Sequence, residues 1–251
     1  MTDMPIPPVR FAEGEFRLGR VLRVTFSVLS RYFPQFVAVT AVASVPSLLL
    51  MQALVTAETS PRTTTALSLL GAGVALVFNS LGQAIVVHGA VQHIRHRPVG
   101  LADSMKTGFD WALPVVALTI IELCLGAVAL LALVFPALIL VTMWAVTVPV
   151  CVLERRGPVA SLGRSSDLTK GHRWRIFLGL LVPIFAADLL VTTVIDDVLT
   201  AASGIGLMLV ATLAWNGVWG AFYAVALAVA YHDLWVAKEG VDIEQITAVF
   251  D

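Results

Sequence analysis

Residues 112–153 read ALPVVALTIIELCLGAVALLALVFPALILVTMWAVTVPVCVL, and in these 42 residues the only charged side chain is Glu122. A hydrocarbon core about 30 Å thick is crossed by roughly 20 helical residues. The run is therefore too long for one span and right for two, with Pro136, after Phe135, as the natural place for the turn. Four further runs of span length lie outward from it, so the expected spans are 33–55, 66–91, 112–134, 136–153, 176–195 and 204–231. A polar turn around Pro61 separates the first two, and Asp196, Asp197 and small residues separate the last two.

Composition agrees. Of 251 residues, 58% are apolar and 13% are charged, against about 25% charged in soluble domains. Mean hydropathy is +0.89, and a soluble globular fold is excluded. A net charge of −1 argues against nucleic acid as a partner. Cys124 and Cys151 sit in apolar runs and form neither a disulfide framework nor a metal-ligand spacing. No nucleophile elbow, phosphate loop or His-Glu metal pair is present, so no catalytic residue, metal or cofactor is expected.

Basic residues orient the spans, because Lys and Arg concentrate in cytoplasmic loops. Fifteen of the 16 fall on one side, and Arg62 alone falls on the other. Both termini are expected to be cytoplasmic. The proline-bearing tail 1–15 lacks the basic-then-apolar order of a cleavable signal, which leaves span one as an anchor within a single membrane domain, 16–251.

Short amphipathic stretches accompany the spans. Leu18, Leu22, Phe26, Leu29 and Phe33 recur on one helical face, with Arg17, Arg20 and Arg31 on the other. Similar stretches follow Gly100, Gly157 and Gly240, the last predicting a short helix over 241–250. Pro158 suits the first turn of a helix that Gly171 stops, with Arg164, Asp167 and Lys170 spaced to pair. The expected fold is all-α: six transmembrane helices as three hairpins, each preceded by a cytoplasmic interfacial helix suited to an anionic headgroup plane.

The string LERRGPVASLGRSSDLTKGHRWRIF, 153–177, resembles the bacterial family called the glycerophosphoryl diester phosphodiesterase membrane domain. Glu154, Leu162, Arg164, Ser165, Leu168, Thr169, Lys170, Gly171 and Trp174 match its pattern, and both chain ends are similar to that family's ends. The resemblance implies a six-span protein of the bacterial inner membrane, a platform beside lipid-related or envelope enzymes. It does not imply hydrolysis, because in fused relatives that chemistry belongs to a separate soluble barrel.

Ionisable groups at membrane depth cost about 2.5 to 3.5 kcal/mol and are functional candidates. Glu122 and Asp188 lie about ten and twelve residues into their spans, near the midplane, and no Lys or Arg occurs within any span. They are either neutral acids sealed between helices or lining of a hydrated cavity. His88 is the one candidate partner, though shallower. Asn79 and Gln83, with Asn216 in the last span, form polar stripes. Gly217, Gly220, Ala221 and Ala224 make a small-residue face suited either to the bundle or to a homo-oligomer. Arg164, Ser165, Lys170, Arg173 and Arg175, with Arg17 and Arg20, are candidates for an anionic lipid headgroup. The leading expectation is a non-enzymatic scaffold or accessory subunit engaging anionic lipid or a membrane-protein partner, and the alternative is a small transporter or proton- or cation-coupled carrier using Glu122 and Asp188.

Overall fold

The computed structural model describes residues 18–56, 61–95, 100–132, 134–201 and 205–250. Arg17 and the tail 1–15 lie outside them. The described residues are helical, in the order α1 (Leu18–Thr56), α2 (Pro61–Ile94), α3 (Leu101–Asp110), α4 (Ala112–Ala132), α5 (Val134–Met143), α6 (Thr147–Leu153), α7 (Pro158–Thr169), α8 (Arg173–Ile176), a π-helical turn (Phe177–Leu181), α9 (Val182–Ala201) and α10 (Ile205–Phe250). Among the described residues five segments are long and apolar enough to cross a membrane: Leu18–Leu50, Thr63–Ile94, Ala112–Ala129, Arg173–Ile195 and Gly206–Glu239.

The expected span 136–153 is not a continuous helix. It breaks at 144–146, between α5 and α6. Pro149 has no N–H for the carbonyl four residues back and crowds it, which unwinds the turn before α6. A side chain takes a carbonyl set free at the break. The Ser165 hydroxyl donates to the Met143 carbonyl at 2.8 Å, while the Trp144 carbonyl keeps a backbone donor, the Thr147 N–H at 3.2 Å. Broken helices in apolar surroundings need such substitute partners.

The interfacial helices follow the glycines in two of four places. Gly100 and Gly157 are the N-caps of α3 and α7, Pro158 opens α7, and Gly171 follows its end with φ +90°. The first stretch is instead fused to its span, since α1 runs through with a kink at Tyr32 (φ −116°, ψ 21°), two residues before Pro34. The helix expected over 241–250 is likewise not separate: α10 continues through Gly240 to Phe250. At 46 residues α10 is roughly 69 Å long, more than twice the hydrocarbon thickness.

The helices α1, α2 and α10 pack mutually and form the centre, with α4 against α2 and α9 against α10. The small-residue face serves the bundle. A Cβ on Gly217 would stand 3.0 Å from Ala41 Cβ, one on Gly220 3.2 Å from Thr40 Cβ, and the Thr40 hydroxyl donates to the Gly217 carbonyl at 2.6 Å. Close backbone approach of this kind is how apolar helices associate when lipid is as apolar as they are.

Burial divides the bundle lengthwise. Toward the end that carries Arg20, Arg164 and Lys238, α10 is almost entirely buried from Ala224 to Leu234, and Val21, Val28, Val86, Val87 and Val91 close around it. Toward the other end, no described residue is buried in α10 before Gly217, in α2 before Ser80, or in α1 after Ser44. One half is a packed plug, and the other is loosely held.

Candidate functional site

A polar cavity of about 280 Å³ lies at the level where the packing ends. It is lined from α1 by Thr40, Ala43, Ser44 and Ser47, from α2 by Asn79 and Gln83, from α9 by Asp188, and from α10 by Asn216, Trp219, Gly220 and Tyr223. Four of the six intramembrane polar candidates, Asn79, Gln83, Asp188 and Asn216, thus come from three separate helices to one place. They reach it because the glycines of α10 let α1 approach closely while the far ends of the helices stay loosely packed. Asn79 stands exposed at the rim. A larger apolar groove of about 610 Å³, lined by Phe26, Phe33, Pro183, Ile184 and Phe222 among others, offers little polar chemistry.

Within the cavity Asp188 accepts one hydrogen bond, from the Trp215 indole N–H to Oδ1 at 3.0 Å. Among the described residues no Lys, Arg or His lines the cavity. The hydroxyls of α1 have already spent their protons: Thr40 on the Phe36 and Gly217 carbonyls, Ser44 on the Ala41 carbonyl at 2.8 Å, and Ser47 on the Ser44 carbonyl at 2.8 Å. Each oxygen is left with lone pairs to offer. The stripe Thr40, Ser44, Ser47 repeats every three to four residues, a helical spacing legible in span one but masked there by the apolar residues around it. Trp219 stacks on Trp215 (5.1 Å) and on Phe222 (5.5 Å).

The other intramembrane candidates are elsewhere. Glu122 does not share the cavity with Asp188; its carboxylate takes a hydrogen bond from Thr147, at the break between α5 and α6. His88 partners neither acid. Its Nδ1 lies 3.3 Å from the Ser104 hydroxyl and its Nε2 3.2 Å from the Gln92 amide, which fastens α3 to α2.

The headgroup candidates divide in the same manner. Arg164 is turned inward rather than paired with Asp167: its Nε donates to both oxygens of Glu154 at 3.1 and 3.2 Å, and Nη2 bonds Glu239. Glu154 also receives the Tyr231 hydroxyl at 3.1 Å and Arg156 at 2.7 Å. Burial opposes the charge on Arg164, but the hydrogen bonds with Glu239 and Glu154 outweigh it and hold the guanidinium above the ordinary arginine value. Ser165 is buried at the helix break. Arg20 bonds Asp233 at 3.2 Å, and Arg173 bonds the Ser166 hydroxyl at 3.1 Å. Lys170 and Arg175 are exposed, beside Trp174, which is 72% exposed. Among the described residues no group of three or more His, Cys, Asp or Glu could hold a metal.

Comparison with known proteins gives no match to a family model, a curated protein or a solved structure.

Proposed function

We propose that the chain is a membrane-embedded carrier that takes a small polar solute into the cavity between α1, α2, α9 and α10. One observation carries this reading: polar side chains from four helices converge on one cavity, with the carboxylate of Asp188 among them. Polar groups at membrane depth are expensive, and a set that serves only as interhelical glue pairs with itself. Among the described residues the amides of Asn79, Gln83 and Asn216 line the cavity without bonding one another. The packed plug closes the cavity toward the basic end, taken as cytoplasmic from the loop charges, and leaves the loosely packed half toward the opposite side. Transport requires that relation to invert, and α9 has a place for it, since a π-helical turn and Pro183 interrupt the regular ladder just before Asp188.

The test is accessibility from both faces. In a background lacking Cys124 and Cys151, Ser44→Cys in sealed vesicles is expected to react with a membrane-impermeant thiol reagent applied from either side. A Val87→Cys control, in the plug, is expected not to react. Failure of Ser44→Cys to react from either face would overturn the reading.

A second reading concerns the basic end and is compatible with the first. Phe109 of α3, Val159 of α7 and Trp174 are exposed by 61%, 73% and 72%, close in sequence to Lys106, Lys170, Arg173 and Arg175. Exposed aromatic and apolar side chains among cations suit a headgroup layer, and we propose that this belt engages anionic lipid in the bacterial inner membrane. Kinship with the glycerophosphoryl diester phosphodiesterase membrane-domain family is proposed on residues 154–174. Here those residues brace the break through Ser165 and build the ion-pair cluster.

A further inference from the structure

We propose that the solute is a small organic cation that donates hydrogen bonds, with an ammonium or guanidinium head. The inference rests on the reading of the cavity as a solute site and names its chemistry.

Charge is the first consideration. Among the described residues Asp188 is the only charged side chain in the lining, and its hydrogen-bond partner, the Trp215 indole, is neutral. With no described protein cation in the lining, the compensating charge is left for the solute to bring. Hydrogen-bond polarity is the second. Thr40, Ser44 and Ser47 have committed their protons to main-chain carbonyls, so toward the cavity they act as acceptors. Asp188 retains its second oxygen, and the amides of Asn79, Gln83 and Asn216 each add a carbonyl oxygen. The amides and the Tyr223 hydroxyl can also donate, but the carboxylate and the three committed hydroxyls offer acceptors alone, and their complement is a cation with several N–H groups.

Size and ring geometry narrow the class further. About 280 Å³ is many times the roughly 10–15 Å³ that holds one water and sits at the small end of ligand pockets, which run about 300–1,000 Å³. A bare metal ion would leave most of that space empty and would find one carboxylate where divalent sites use more. A quaternary ammonium is recognised by a cage of aromatic faces, whereas the described lining holds two aromatic side chains, Trp219, which stacks on Trp215 and Phe222, and Tyr223. Recognition therefore falls to the carboxylate and the ring of oxygens.

The probe is radiolabelled methylguanidinium, a permanent cation with N–H donors, measured by scintillation proximity on the purified full chain. Two competitors separate the contributions: methylurea keeps the shape and N–H groups without the charge, and tetramethylammonium keeps the charge without N–H groups. Saturable binding is expected, displaced by unlabelled methylguanidinium and at least tenfold more weakly by either competitor. Asp188→Asn, which keeps an oxygen for the Trp215 N–H, is expected to bind at least tenfold more weakly with an unchanged melting temperature. Equal displacement by methylurea, equal displacement by tetramethylammonium, or binding unaltered in Asp188→Asn would each overturn the assignment. The competitor arms need no variant and stand even if Asp188→Asn fails to fold. Absence of methylguanidinium binding while Ser44→Cys reacts from both faces would refute the solute class alone. Binding with Ser44→Cys reacting from one face only would refute the carrier and leave the site.

Discussion

The cluster around Glu154 ties three parts of the chain together, the end of α6, α7 and α10, and its coupling can be measured. Arg164 and Glu154 side chains are 21% and 14% exposed, with Nε 3.1 Å from Oε1. At that separation and an effective dielectric constant near 20, the attraction is roughly 5 kcal/mol before desolvation is subtracted. Breaking a fully buried pair costs about 3–5 kcal/mol, whereas exposed pairs are worth about 0–1. This pair lies nearer the buried limit, so Arg164→Met should destabilise by about 2–3 kcal/mol, since it leaves Glu154 and Glu239 facing one another without the guanidinium. Glu154→Gln should cost about 2 kcal/mol. The Arg156 contact adds little, because that side chain is 49% exposed. The assay is a double-mutant cycle on unfolding in mild detergent, followed by tryptophan fluorescence. A coupling energy of about 2 kcal/mol is expected, as is a fall in Tm of roughly 4–10 °C for each single variant. Additive losses, each under about 0.5 kcal/mol, would refute the claim that this cluster fastens the basic end.

Two further substitutions test the packing. Gly217→Val places a branched side chain where a bare Cβ already meets Ala41 Cβ at 3.0 Å and the Val37 carbonyl at 3.1 Å. Overpacking of about 1–3 kcal/mol should exceed the small gain in helix propensity, and an unchanged or raised Tm would count against the α1–α10 contact. Ser165→Ala removes the main donor to the Met143 carbonyl at the helix break, leaving Thr169 at 3.4 Å. A loss of about 1–2 kcal/mol is expected in the same unfolding assay, and no change would mean that the break is held by other contacts.

Charge and punctuation were readable from the chain, because both act locally. The run 112–153 announced a membrane fold, and Gly100, Gly157, Pro158 and Gly171 mark helix boundaries for reasons of backbone geometry. The gathering of Asn79, Gln83, Asp188 and Asn216 was half legible: their depth singled them out, and their common cavity was not foreseeable. A helix that is apolar on all sides carries no periodic signal of which face turns inward. For the same reason Glu122 and Asp188, at similar depth, could not be told apart, and the structure sends one to a helix break and the other to a cavity. The break at 144–146 was hidden because its compensation comes from Ser165, in another helix. Arg164 illustrates the limit of counting charge: its sign fitted a lipid contact, whereas Glu154 and Glu239, 10 and 75 residues away, claim it.

The central claim is that a cation passes through the Asp188 cavity, and the most direct measurement is uptake of radiolabelled methylguanidinium into proteoliposomes. Saturable uptake by the wild-type chain, lost in Asp188→Asn and absent from protein-free vesicles, is the predicted result. Uptake no faster than in protein-free vesicles, or undiminished in Asp188→Asn, would contradict it.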